Sequence, residues 1–186
     1  MTSETVTSEM IDALNQMGSP WMIVGSFSTN YYGIPRSTKD ADFVLRLEGK
    51  SIRELVSLLG ADFQLDPQAA FETVTATVRY RIGHPSSDFQ IEVFLLSDDA
   101  HDQSRFARRV SVSMFGRAAF IPTAEDCVVT KLRWLRDAGR GKDEDDIRNL
   151  LSVQQDRIDW DYLLSWCERH GTREILDRIR ASLPAS

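Results

Sequence analysis

The sequence predicts an α+β fold: a mixed β-sheet with flanking helices over residues 1–121, followed by a helical part over residues 122–186 packed on that core. Three observations predict it. Short runs of strand character, among them "WMIV", "DADFVL" and "QIEVFLL", are interleaved with helix-period runs as far as Ile121. From Pro122 onward only helix-period runs remain, each closed by a Gly, a polar turn or the chain end. The chain has 186 residues, 42% apolar and 27% charged, which supports a sizeable core; neither part is large, so the two pack together.

In order, "SEMIDALNQMG" reads as a first helix, with Ile11, Leu14 and Met17 on one face and Gly18 as its stop. "WMIVGS" is a buried strand, and a short helix runs from Ser26 to Gly33. "KDADFVLRL" is the next strand. "SIRELVSLLG" is a helix with Ser51 as its cap, Glu54 in the capping-box position and Gly60 as its stop. "TVTATVRYRIG" alternates as a strand, with Val74, Ala76, Val78 and Tyr80 on one side and Thr75, Thr77, Arg79 and Arg81 on the other. "DFQIEVFLL" is a further strand, and "VSVSMFGRAAFI" a hairpin around Phe115-Gly116. Thr123 caps the first C-terminal helix, and "KDEDDIRNLLS", "DWDYLLSWCERHG" and "TREILDRIRASL" supply three more. Trp134, Trp160 and Trp166 are spaced as helix core residues, not as a stacking platform.

Composition excludes several functions. A net charge of −6 argues against a generally basic nucleic-acid coat, leaving only local patches such as "RFARR" at Arg105 to Arg109. No apolar run approaches the roughly 18 residues that suggest a membrane span, and the N-terminus lacks a signal-peptide pattern. Cys127 and Cys167, far apart in sequence, read as reduced thiols in or near a core, which points to the cytoplasm. His84, His101 and His170 are scattered, with no metal-ligand spacing.

The chemistry sits in acids placed where acids are costly. Asp40 and Asp42 open a strand at positions i and i+2, so both side chains leave the same face. Glu92 interrupts the apolar strand "FQIEVFLL" and shares a face with Gln90 and Phe94. Three oxygen anions converging on one point would repel one another unless they hold a hard divalent cation, for which Mg²⁺ is the natural choice. Gly25-Ser26 lies between a strand and a helix, where glycine allows close backbone approach and the helix N-terminus offers N–H groups to an anion. Metal carboxylates beside an anion-binding turn make a phosphate site.

Taken in order, Gly25-Ser26, a helix, Asp40-Ala41-Asp42-Phe43 and then Glu92 resemble the minimal nucleotidyltransferases of the DNA polymerase β superfamily. The stretch "PRSTKDAD" is similar to the basic approach to the acids in minimal bacterial members, although the spacer Phe27 to Lys39 is at the long end for the family. "PTAEDCVVTKLRWLRDAGRGKDEDDIRNLL" resembles the helical segment of the antibiotic and toxin-antitoxin branch. The resemblance spans roughly residues 20 to 152. It implies a nucleotidyltransferase core and transfer of a nucleoside monophosphate from an NTP to an acceptor hydroxyl by a two-metal mechanism with Mg²⁺ or Mn²⁺. On that reading Asp40, Asp42 and Glu92 are catalytic metal ligands. Gly25 and Ser26 hold the β and γ phosphates, and Arg36, Lys131 and Lys142 contact the triphosphate, with Asp143 and Asp146 close to the nucleotide. The acceptor is a small molecule such as an aminoglycoside or lincosamide, or a macromolecule such as tRNA or a protein hydroxyl; the toxin reading adds an antitoxin partner.

Each residue also has a plainer account. Asp40 and Asp42 read singly are solvated residues at a strand start, Glu92 an edge-strand charge, Arg36 a loop charge and Lys131 a solvated helix lysine. "GRGKDEDD" is then an exposed linker with a capped helix start. The alternative function is a catalytically inactive nucleotide-binding or interaction module of the same fold.

Overall fold

The computed structural model describes residues 1–183. The N-terminal helix α1 (Ser3–Met17) begins five residues earlier than its apolar periodicity suggests, because the Thr2 side chain accepts from the Thr5 N–H and caps it. It ends at Gly18, whose φ of 70° needs no Cβ. Strand β1 (Trp21–Val24) leads directly into α2 (Gly25–Tyr32), then β2 (Asp40–Leu45). Helix α3 (Ile52–Leu58) carries the full Ser51–Glu54 capping box, with Leu59, not Gly60, at its C-terminal cap.

The run read as one strand from Thr73 is interrupted. Chain pairing gives β3 (Gln64–Leu65), β4 (Ala70–Glu72) and β5 (Thr77–His84), with residues 73–76 forming a tight turn in which Ala76 has φ 53°. The buried Glu72 carboxylate makes that turn by accepting from the N–H groups of Val74 and Thr75 and from the Thr75 hydroxyl. Thr75 and Thr77, placed with the arginines on the polar side, are both buried. Strand β6 (Ser87–Leu95) follows, then a helix the apolar pattern did not announce, α4 (Ala100–Ala107), capped by Asp99. The hairpin β7 (Val110–Met114) and β8 (Arg117–Ile121) turns at Phe115-Gly116, both at positive φ, and forms its own two-stranded sheet. The C-terminal helices are α5 (Ala124–Ala138), α6 (Gly141–Gln154), α7 (Trp160–His170) and α8 (Arg173–Ala181).

The main sheet has the order β1-β2-β6-β5-β3, with β4 also on β5. Its β2–β6 pair is parallel and its other pairs are antiparallel. Strand alternation sorts its residues. Trp21, Ile23, Ala41, Phe43, Leu45, Ile91 and Val93 enter a core shared with α1 and α3. The opposite face carries Asp40, Asp42 and Glu92 beside an apolar patch of Met22, Val24, Val44 and Phe106. The helices α5–α8 bury a separate apolar cluster, and Tyr32 packs against both that cluster and the sheet core.

Helix α2 joins the two clusters at close range. A Cβ on Gly33 would come within 3.0 Å of the Leu150 backbone in α6, and backbone atoms cannot swing aside as a side-chain tip does. Gly33→Ala is therefore expected to destabilise the protein by about 1–3 kcal/mol through overpacking. Urea denaturation checks this; a loss within a few tenths would mean that α6 shifts freely against α2.

Candidate active site

Strand register brings the acids together. Asp42 is paired with Glu92 and Asp40 with Gln90 across the parallel β2–β6 ladder, so the three carboxylates leave one face. Val24, the last residue of β1, is paired with Asp42 on its other side, which sets the α2 N-terminus against the same acids. Gly25 has φ 63°, and a Cβ there would lie 2.0 Å from Asp42 Oδ2. The glycine is thus required twice, by its backbone angle and by the carboxylate pressed against it. Val24 provides no side-chain cap to α2.

Each carboxylate has a different neighbour. Asp40 Oδ1 accepts from the Thr38 hydroxyl at 2.7 Å, and Glu92 Oε2 from Arg79 Nη1 at 3.1 Å. Asp42 has no hydrogen-bond or ion-pair partner among the described residues. Burial, then the charges of Asp40 and Glu92, push its pKa up to about 7. All the donors are carboxylate oxygens, and the middle one holds a proton near neutrality; a divalent cation would reverse that shift, so the set fits such an ion.

The cleft of about 260 Å³ above these acids is roofed by one stripe of α5: Cys127, Thr130, Lys131 and Trp134. Lys131 is buried, not solvated, with Nζ 2.8 Å from both Asp143 Oδ1 and Asp146 Oδ2 of α6. Asp146 also takes a two-pronged contact from Arg36, Nε at 2.6 Å and Nη2 at 2.9 Å. Burial raises its pKa, but the Arg36 hydrogen bonds and the Lys131 charge prevail and hold it below the usual range. The Arg36 loop is fixed by Asn30, whose amide bridges the Arg36 N–H and carbonyl. Arg36 Nη2 then donates to Ser26 Oγ at 3.0 Å. Ser26 is buried and ties the α2 N-terminus to this network by accepting from Arg36, which leaves its O–H free to donate. Arg140 closes the chain, pairing with Asp143 at 3.2 Å and lying 5.0 Å from the centre of the Trp134 ring.

The structure therefore brings together Gly25, Ser26, Arg36, Asp40, Asp42, Glu92, Lys131, Asp143 and Asp146. Lys142 lines the cleft, exposed and without an ion pair among the described residues. Three expectations change. Trp134 is part of the cleft wall, whereas Trp166 is buried among helices as its spacing suggests. "RFARR" is not an open basic patch: Arg105 is buried on Asp102 at 2.8 Å, Arg108 lies over Tyr162 at 3.9 Å, and Arg109 donates to the Phe106 carbonyl. His101, seemingly isolated in sequence, has Asp99 and Asp102 ligand atoms within 4.8 Å. Those groups are already engaged. Asp99 binds Arg133 with both oxygens, Asp102 accepts from Ser97 at 2.6 Å, and His101 Nε2 is 3.1 Å from Asp126. Arg105 and Arg133 balance the two aspartates there, while His101 Nδ1 and Asp102 Oδ1 keep no hydrogen-bond partner among the described residues. Sequence reading missed Arg79, Arg105, Arg140 and Trp134 as cleft residues; only their fold neighbours, not any motif, put them there.

The raised Asp42 pKa links stability to pH. Below pH ~4 the carboxyl is protonated in both the folded and unfolded chain. Between pH ~4 and ~7 the unfolded chain releases the proton and the folded chain keeps it, so stability falls as pH rises and levels off above ~7. At 1.36 kcal/mol per unit the ceiling of this loss is about 4 kcal/mol. Asp42→Asn escapes it. In metal-free buffer that variant is expected to melt above the wild type at pH 8, with the gap closing by pH 4. A pH-independent difference would remove the linkage.

No protein-family model matches the sequence, and no curated protein matches it. Solved structures do match in shape. ANT(2")-Ia in complex with adenylyl-2"-tobramycin aligns with a TM-score of 0.65 at 11% identity, over 94% of this chain and 99% of that one. The lincosamide antibiotic adenylyltransferase LnuA, lincomycin-bound, aligns at 0.53 and 13% identity, over 82% of this chain and 98% of its own. An antigenic nucleotidyltransferase-like protein from Paracoccidioides brasiliensis aligns at 0.52 and 19%, over 98% and 94%. With its acid-bearing sheet, its glycine turn and its helical C-terminal part, the chain has the nucleotidyltransferase fold.

Proposed function

We propose that this protein transfers a nucleoside monophosphate from an NTP to an acceptor hydroxyl, with Asp40, Asp42 and Glu92 as ligands to two Mg²⁺ or Mn²⁺ ions. The observation that carries this reading is the Asp42–Glu92 register with Gly25 packed against Asp42: three acids and an anion-binding helix N-terminus share one cleft. The ions, when bound, lower the pKa of the acceptor hydroxyl and neutralise the triphosphate and the leaving pyrophosphate. Thr38 orients Asp40, and Arg79 orients Glu92. The first turn of α2 offers its N–H groups to the phosphates. Lys142 adds an exposed cation, while Lys131 and Arg36 give fixed positive charge whose carboxylate partners keep it in place. Asp143 and Asp146 act as positioning residues for that charge.

The acceptor is taken to be a small molecule, as supported by the adenylylated tobramycin and the lincomycin of the two antibiotic-modifying neighbours. In this reading the protein works in the cytoplasm, and its two cysteines are free buried thiols. No helix among the described residues is long and apolar enough to cross a membrane.

Incubation with labelled NTPs and Mg²⁺ tests the proposal, with pyrophosphate release as the readout. Asp42→Asn, shown folded by circular dichroism, is expected to lose at least ~100-fold in kcat. Retention within a few-fold would exclude Asp42 as a metal ligand. Calorimetry should show NTP affinity falling sharply in EDTA, because unneutralised carboxylates repel a triphosphate; equal affinity with and without EDTA would remove the metal site.

A further inference from the structure

The four tryptophans differ in what surrounds them. Trp21 and Trp166 are buried in apolar clusters. Trp160 packs on the α5–α8 cluster and donates its indole N–H to the Gln155 carbonyl at 3.1 Å. Trp134 has neither arrangement. It is half-buried and joins none of the three apolar clusters, and its indole N–H has no hydrogen-bond partner among the described residues. Instead the ring forms part of the cleft wall. A large aromatic side chain that packs in no core offers its area, and its free N–H, to whatever enters the cleft.

The ring is nonetheless held. The Arg140 guanidinium lies 5.0 Å from its centre, Asp143 holds Arg140 at 3.2 Å, and Lys131 holds Asp143 at 2.8 Å. The indole is thus backed by an anchored cation. Around α5, Thr130 turns to Arg105 of α4, while Lys131 and Trp134 turn to the start of α6. At the other end of the same stripe, Cys127 Sγ lies 3.5 Å from the Ser28 hydroxyl in the first turn of α2. Seven residues of helical rise carry Trp134 about 10 Å beyond that turn. An NTP with its β and γ phosphates at the α2 N-terminus and its α-phosphate over the acids places its base at a similar remove, past the ribose.

From the unpacked ring, its anchored backing and its distance from the α2 N-terminus, we infer that Trp134 is the nucleobase platform and that the preferred donor is a purine NTP. The base stacks on the indole, and the larger purine covers more of it than a pyrimidine does. Stacking uses the π-face that every base has, so the ATP and GTP affinities are close to each other. The inference rests on the nucleotidyltransferase reading and adds the base to it.

Calorimetry in Mg²⁺ tests it, comparing non-hydrolysable ATP, GTP, CTP and UTP analogues with inorganic tripolyphosphate, which has no base. The purine analogues are expected to bind more tightly than the pyrimidine ones, and tripolyphosphate most weakly. Trp134→Ala, shown folded by circular dichroism, is expected to weaken the purine analogues by about tenfold or more and to leave tripolyphosphate within about twofold. Trp134→Phe is expected to recover most of that loss. The ATP analogue is also expected to quench indole emission in the wild type but not in Trp134→Phe, which keeps the other three tryptophans. Because that variant retains a ring, the quench decides the matter even where the alanine variant does not fold. A pyrimidine preference, an ATP analogue no tighter than tripolyphosphate, unchanged purine affinity or an equal loss of tripolyphosphate in Trp134→Ala, or a quench that persists in Trp134→Phe overturns the inference and leaves the nucleotidyltransferase reading standing. Failure of the analogues and of tripolyphosphate alike to bind removes both.

Discussion

Repulsion among Asp40, Asp42 and Glu92 is the constraint around which the rest of the molecule is arranged. The register of a parallel strand pair forces the acids onto one face, and Gly25 presses on the middle one, so Asp42 can neither turn away nor reach a counter-charge of its own. A protein that only needed a stable sheet would place apolar residues here, as the alternate positions Ala41, Phe43, Ile91 and Val93 do on the opposite face. Keeping three carboxylates on a partly desolvated surface costs stability that the surrounding core must offset.

Counter-charge is supplied at one remove. Arg36, Lys131 and Arg140 lie near the acids, but each is tied to Asp143 or Asp146. These pairs are mostly buried, and buried pairs add little net stability compared with apolar packing. They do fix geometry: one network locks the loop before β2, the first turn of α2, the roof helix α5 and the start of α6 into a single relative position. The helical part is thereby held over the sheet by polar contacts as well as by Tyr32.

Much of this was legible in the sequence because it is local. Alternation placed Asp40, Asp42 and Glu92 on their faces, and the Ser51 and Thr123 caps and the Phe115-Gly116 turn follow from residue chemistry within a few positions. The errors arise where tertiary contacts override local pattern. Residues 73–76 alternate like a strand, yet the Glu72 carboxylate draws their N–H groups into a turn. Helix α4 has too few apolar residues to announce itself and depends on its Asp99 cap and on burial of Phe106. Lys131 read singly looked like a solvated lysine because its partners, Asp143 and Asp146, lie on the next helix. Arg79 and Arg105 became cleft residues only through the sheet order and the approach of α4, neither of which a single sequence reveals.

The parallel pairing of β2 with β6 also bears on how the chain folds. Asp40 and its partner Gln90 are about fifty residues apart, and a chain must close that long loop before the ladder rewards it. The antiparallel β5–β6 pair and the β7–β8 hairpin close over far shorter distances. Local pairings can therefore form while the three acids are still separated and fully hydrated, and the repulsion arises only when the last long-range ladder zips. The electrostatic burden therefore accompanies that long-range pairing, and the local pairings that can precede it carry no acidic cluster.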